Sequence, residues 1–157
     1  MKGTLHEING RYALTFERFF SRPVEKVWHG ITDPDCFNQW YPFSTGEMDL
    51  RVGGKFHLDD GEGSIYEGII TELDPPNIFA FREVDDWLRF ELRSKGDGCL
   101  LRFTHTFDDR SMAARTAAGW HGCLEVLDMV VDGKPAVWPD NMAEWREKYA
   151  KEFNQKG

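Results

Sequence analysis

The chain has 157 residues, a formal net charge of −8 and 41% hydrophobic residues; 12 Phe, 6 Trp and 4 Tyr raise the aromatic share to 14%. That length fits one domain around a single core. The negative charge spreads along the chain without a basic block, which argues against a nucleic-acid partner, because clustered Lys and Arg supply most phosphate affinity.

Three scattered cysteines, Cys36, Cys99 and Cys123, argue against a disulfide framework and against a zinc site, so no metal and no cofactor is expected. The N-terminus lacks an apolar signal segment and no window approaches ~18 apolar residues, so the expectation is a cytoplasmic protein without membrane insertion.

Taken in chain order, YALTFERFF (12–20) alternates as a strand with Tyr12, Leu14 and Phe16 on one face. In SRPVEKVWHGIT (21–32), Val24, Val27, Trp28 and Ile31 make a helical stripe, with Ser21 as the expected cap and Pro23 in the first turn. Asp33-Pro34 starts a second short helix ending near Trp40-Tyr41-Pro42. Strand language then runs from about 44 to 107 through MDLRV, KFHLD, SIYEGIITEL, IFAFREV, WLRFELRS and CLLRFTHTF. Gly and Asp-Gly turns between these segments read as an antiparallel meander. Leu101, Phe103, His105 and Phe107 share one face of its last strand.

After Asp108-Asp109 the apolar period returns to that of a helix over 110–132, stopped by Asp132-Gly133. Gly119 and Gly122 lie inside this helix beside Trp120. A glycine there costs about 1 kcal/mol relative to alanine, so both are read as points where the helix backbone approaches the sheet or the first helix pair. A last helix (141–153) carries Met142, Trp145, Tyr149 and Phe153 on one stripe, with Asn141 and Glu144 resembling a capping box. The order implies an α+β fold: a curved antiparallel sheet of six to seven strands around one long helix, with a short helix pair after strand one and an extra C-terminal helix.

The run SRPVEKVWHGITDPDCFNQWY, the turn VGGKF (52–56), EGIITELDPP (67–76), Thr104-His105 and AAGWHGCLEVL (117–127) together resemble one family. It is named for the activator of the ninety-kilodalton heat-shock-protein ATPase, within the START-like (SRPBCC) superfamily. The resemblance spans roughly 12–132 and implies a helix-grip fold with a cavity between sheet and long helix. Residues 1–134 are expected to form that domain. Residues 135–157 are expected to form an extension packed on it or on a partner copy in a homodimer.

Superfamily relatives hold apolar molecules along the inner strand faces and the sheet-facing side of the helix. The matching positions here are Trp40, Phe56, Leu58, Phe79, Phe81, Phe90, Leu101, Phe103, His105, Trp120, Cys123, Leu124 and Leu127. Each aliphatic member has ordinary core packing as its alternative. His105 either orients a ligand carbonyl or moves a proton, or else serves as a structural histidine. Arg18 and Arg115 place a cation near a ligand carboxylate or are simply ion-paired. Asp59-Asp60, Asp85-Asp86 and Asp108-Asp109 read as turn-capping pairs.

Nucleophile-elbow, P-loop, dinucleotide and zinc-protease motifs are absent from the sequence. The leading expectation is binding of a small hydrophobic or amphipathic ligand of lipid, polyketide or aromatic type. One alternative is a cyclase or hydrolase, with Glu67, Glu91 or Arg18 beside His105. The other is a chaperone-interacting module like the activator that names the family.

Overall fold

The computed structural model describes residues 2–41 and 43–154. One antiparallel sheet of eight strands forms the body of the protein. Its strands are β1 (Thr4–Ile8), β2 (Arg11–Phe20), β3 (Ser44–Met48), β4 (Lys55–Asp59), β5 (Ile65–Asp74), β6 (Ile78–Glu83), β7 (Asp86–Lys95) and β8 (Gly98–Phe107). Their spatial order is β1-β2-β8-β7-β6-β5-β4-β3. The pair α1 (Val24–Thr32) and α2 (Pro34–Trp40) follows β2; α3 (Ala113–Val131) and α4 (Met142–Glu152) close the chain.

The sheet is wider than the sequence reading expected, because β1 was not foreseen. The Asn9-Gly10 turn makes it: both residues have positive φ, 51° and 80°, as a tight two-residue hairpin requires. The segment MDLRV is corrected too. The strand ends at Met48, and residues 49–54 curl into a turn in which Arg51 N–H donates to Asp49 C=O and Gly54 N–H to Arg51 C=O. Gly53 takes a φ of 82°, and a Cβ on Gly54 would sit 1.9 Å from the Asp49 carbonyl oxygen.

Helix ends follow the expected stretches with different chemistry. Pro23, not Ser21, is the N-cap of α1, without a side-chain bond. Asp33 caps α2 by accepting from the Cys36 N–H. The expected Asn141 cap bond is not made on α4. The second helix ends at Trp40, and Pro42 of the expected boundary lies outside the described residues.

α3 packs into the curve of the sheet, and a single apolar cluster joins them. Phe79, Phe81, Phe90 and Phe103 project from neighbouring strands into it, each at most 1% exposed. Full burial of such a side chain is worth about 1.5–3 kcal/mol. Trp120 brings α3 onto this surface, its ring 4.2 Å from that of Phe103.

Gly119 and Gly122 do not mark close approaches. A Cβ on Gly119 would meet nothing within 4 Å, and one on Gly122 only Pro139 at 3.9 Å. The close approach belongs to Gly30 of α1, where a Cβ would lie 2.9 Å from Val131 Cγ2 of α3. The Trp40 indole N–H donates to the Gly30 carbonyl at 2.9 Å, which locks the helix pair at that crossing.

α4 lies against α3 of the same chain. His121 stacks on Trp145 at 3.6 Å, and Tyr149 and Phe153 are buried, whereas Met142 of the same stripe stays 53% exposed. The Tyr149 hydroxyl accepts from Gly3 N–H at 2.9 Å, so α4 also holds the N-terminal segment. Among the described residues no helix is long and apolar enough to cross a membrane.

Candidate functional site at one end of the grip

Along the inner face, the apolar rows of β6 and β7 end in polar residues at the same end of the sheet, where His105 interrupts the row of β8 before Phe107. Phe79 and Phe81 of β6 lead to Glu83, Phe90 and Leu88 of β7 lead to Asp86, and Phe103 of β8 leads to His105. Pairing of Glu83 with Asp86 and of Leu88 with His105 brings these three polar residues together.

Two hydrogen-bond networks grow from these groups. In one, the Trp120 indole N–H donates to His105 Nδ1 at 2.8 Å, and His105 Nε2 lies 2.8 Å from Asp86 Oδ2. An indole N–H can only donate, so Nδ1 must carry the lone pair and Nε2 the proton. The imidazole is therefore held as the neutral Nε2–H tautomer, donating to the carboxylate. Neither Glu67, Glu91 nor Arg18 is its partner: Arg18 pairs with Asp128 at 3.1 Å, Lys55 with Glu67 at 3.7 Å, and Arg89 with Glu91. Asp86, expected to cap a turn, takes that place because it is the first residue of β7 and shares the inward phase of Leu88.

In the other network, Glu83 accepts from two phenols, Tyr41 at Oε2 and Tyr66 at Oε1, the latter at 2.9 Å. Burial, then the Glu83 charge, pushes the Tyr41 hydroxyl well above its ordinary range, and the same two causes raise Tyr66. Both phenols are standing donors at neutral pH. Tyr41 also lies against Trp120, 5.7 Å between rings, so the two networks share a wall.

Between them opens a cleft of about 370 Å³. Five carboxylates border it: Glu83, Asp85, Asp86, Asp108 and Asp109. Val84, Phe107 and Met112 supply apolar surface, and Tyr66 and Thr116 supply hydroxyls. Arg11 braces the rim. Its Nε donates to Asp108 and its Nη2 to the Asp85 carbonyl, both at 2.6 Å, while the guanidinium lies 4.8 Å over the Trp87 ring. The Val84-Asp85 turn that forms the lip holds Val84 at a φ of 56°, a left-handed conformation that a β-branched residue rarely adopts.

The residues expected from sequence lie, His105 apart, in one buried apolar cluster, and none of them lines this cleft. Trp40, Phe56, Leu58, Phe79, Phe81, Phe90, Leu101, Phe103, Leu124 and Leu127 are at most 1% exposed. Those nearest the surface are His105, Trp120 and Cys123, at 8%, 6% and 6%. Burial pushes the Cys123 thiol up to about 12, so it offers no thiolate nucleophile. Tyr41, Tyr66, Glu83 and Asp86 were missed, although strand alternation alone puts Glu83 in phase with Phe81 and Asp86 in phase with Leu88.

This sheet, helix pair and long helix correspond to a known family. The model of the Activator of Hsp90 ATPase homolog 1-like protein family matches residues 21–132, most of the chain. The chain belongs to this family. Solved structures agree on the fold. A conserved protein of unknown function from Enterococcus faecalis superposes with a TM-score of 0.85 at 20% identity, covering 99% of this chain and 93% of that one. CalU16 from Micromonospora echinospora gives 0.74 at 23% identity, covering 98% and 95%. The Aha1 dimer from Colwellia psychrerythraea gives 0.65 at 17% identity, covering 76% and 95%. No curated protein matches the sequence. Within this Hsp90-activator-like family the chain has the expected helix-grip architecture, with α4 beyond the stretch that the family model covers.

Proposed function

We propose that this member of the Hsp90-activator-like family is a binding protein for a small, mainly apolar molecule that enters at the cleft and carries a neutral donor or cationic group at its outer end. The observation that carries the reading is the meeting of the two networks, through Trp120, His105, Asp86, Tyr41 and Glu83, beside a cleft that is edged by carboxylates and has apolar surface from Val84, Phe107 and Met112. A volume of about 370 Å³ falls in the range of small-molecule sites. Five carboxylates against the one bracing arginine repel an anionic head group and favour an amine or a hydrogen-bond donor.

A cyclase or hydrolase needs a free acid or base. Both His105 nitrogens are engaged, by Trp120 and Asp86, so this histidine has no nitrogen open for proton transfer, which favours a role in holding and orienting a ligand. A chaperone contact rests on the family description and a homodimer on the Colwellia dimer; neither draws on a residue of this site.

The test is an amide and indole NMR titration with three probes of similar apolar bulk: a long-chain amine, a neutral flavonoid and a fatty-acid anion. Saturable shifts centred on the Trp120 indole, with the amine or the flavonoid tighter than the anion, support the reading. Unmoved Trp120 and His105 signals with all three, in a folded protein, overturn it.

A further inference from the structure

A second cluster lies away from this cleft, where α1 turns into α2. His29 in the last turn of α1, Asp33 at the junction and Cys36 in the first turn of α2 point their donors at one spot. One atom from each side chain, imidazole nitrogen, carboxylate oxygen and thiol sulfur, lies within 4.8 Å of the other two. We propose that this corner is a binding site for a borderline-soft divalent cation of the zinc type, held by His29, Asp33 and Cys36.

The corner is built before any ion arrives. Asp33 N–H donates to the His29 carbonyl at 2.9 Å, and Asp33 Oδ2 accepts from Cys36 N–H at 3.2 Å. The three residues are thus tied through one short stretch of backbone. Ile31 and Phe37, both fully buried, anchor its inner side, and the Trp40–Gly30 bond fixes the two helices to each other. No loop has to be ordered on binding. The field at α1's C-terminal end favours a cation and offsets the opposite field of α2's start.

The donor set selects the ion. One nitrogen, one oxygen and one sulfur suit Zn²⁺, Co²⁺ or Cd²⁺, whereas Ca²⁺ and Mg²⁺ seek oxygen ligands alone. Metal–ligand distances of about 2.0–2.3 Å put tetrahedral donors roughly 3.5 Å apart. Donors within 4.8 Å of one another must therefore close by at most about 1.3 Å, and rotation of the exposed His29 ring contributes to that closure. On binding, the Cys36 S–H bond breaks, its proton passes to solvent, and the sulfur lone pair forms the metal bond. Three protein ligands leave the fourth position to water, as in an open site. The three ligands are of three different residue types, at positions 29, 33 and 36, so cysteine spacing does not reveal them.

The test is titration of the reduced, tag-free full chain with Co²⁺ alone, followed by competition with Zn²⁺. The expected result is one equivalent bound, with a near-ultraviolet thiolate-to-cobalt charge-transfer band and visible bands of a four-coordinate ion, all displaced by Zn²⁺. C36S should abolish the charge-transfer band, and H29Q should weaken binding at least tenfold. H29Q alters a surface side chain and keeps the core, so its reading does not depend on a refolded variant. No charge-transfer band at one equivalent overturns the proposal. So does unchanged affinity in both H29Q and D33N, which would mean a thiol binding metal by itself.

Discussion

Trp120 and His105, 15 residues apart in sequence, share a hydrogen bond of 2.8 Å that fixes the histidine's tautomer. The indole N–H occupies Nδ1, so the ring proton sits on Nε2 and faces Asp86. Replacing Trp120 with Phe keeps an aromatic ring but leaves Nδ1 unpaired in a nearly buried site. An unsatisfied buried acceptor together with lost volume should cost about 2–3 kcal/mol. Urea denaturation reads the loss, and imidazole nitrogen shifts read the tautomer. A wild-type ring protonated on Nδ1 would refute the assignment.

The two classes of helical glycine should respond to alanine with opposite signs. Gly119 is in mid-helix, where a Cβ meets nothing within 4 Å, so G119A should gain about 0.5–1 kcal/mol. A Cβ on Gly30 would lie 2.9 Å from Val131 Cγ2. There the strain of overpacking, about 1–3 kcal/mol, outweighs the helix-propensity gain, and G30A should lose stability. Equal signs in denaturant unfolding would show that the α1–α3 crossing is looser than its geometry implies.

Much of the fold was legible because hydrophobic period is a local property. Phe79-Phe81, Phe90 and Leu101-Phe103 alternate in strand phase, and the α3 stripe repeats at helical spacing. The β1 hairpin was legible as well: Asn9-Gly10 is a strong turn signal, passed over because its flanking strand is short and mostly exposed. The site was half legible. Its apolar rows and His105 were read, while Asp86 was assigned to a turn and Glu83, inside the strand segment IFAFREV, was given no inward place. Extending the alternation by one more step from Phe81 to Glu83, and back from Leu88 to Asp86, would have placed both carboxylates inside. Which ends meet depends on strand register, and the bond between His105 and Trp120 depends on how α3 sits on the sheet. Neither is encoded in any local window.

Val84 sits at a φ of 56° at the cleft lip and is 67% exposed. Left-handed geometry costs a non-glycine residue about 1–2 kcal/mol, and the exposed side chain returns little burial. V84G removes that strain but makes the unfolded chain freer, by about 0.5–1 kcal/mol. The net expectation is a gain of about 0.5–1 kcal/mol in thermal or urea unfolding. If V84G also weakens binding of the amine or flavonoid probe, the strain is retained for ligand contact. A destabilised V84G would mean that the Val84 side chain contributes packing at the lip.

Acid should loosen the attachment of α4 through His121. Its Nδ1 lies 3.2 Å from the Tyr149 hydroxyl, which also accepts from Gly3 N–H. Burial first, then nearby positive charges that include Arg18 and Lys148, brings the His121 pKa down to about 4. In the unfolded chain the value returns to about 6.5. Between those values the unfolded state takes up a proton that the folded state refuses, so stability falls as pH drops from 6.5 toward 4. The full shift sets a ceiling of roughly 3 kcal/mol. Glu125, 3.4 Å from Nε2, stabilises the charged ring and reduces the loss to about 1–3 kcal/mol. Urea unfolding at pH 7 and pH 5 measures most of it, above the ordinary midpoints of Asp and Glu at about 3.9 and 4.3. H121Q should flatten the difference; an unchanged difference in H121Q would assign the acid sensitivity to other groups.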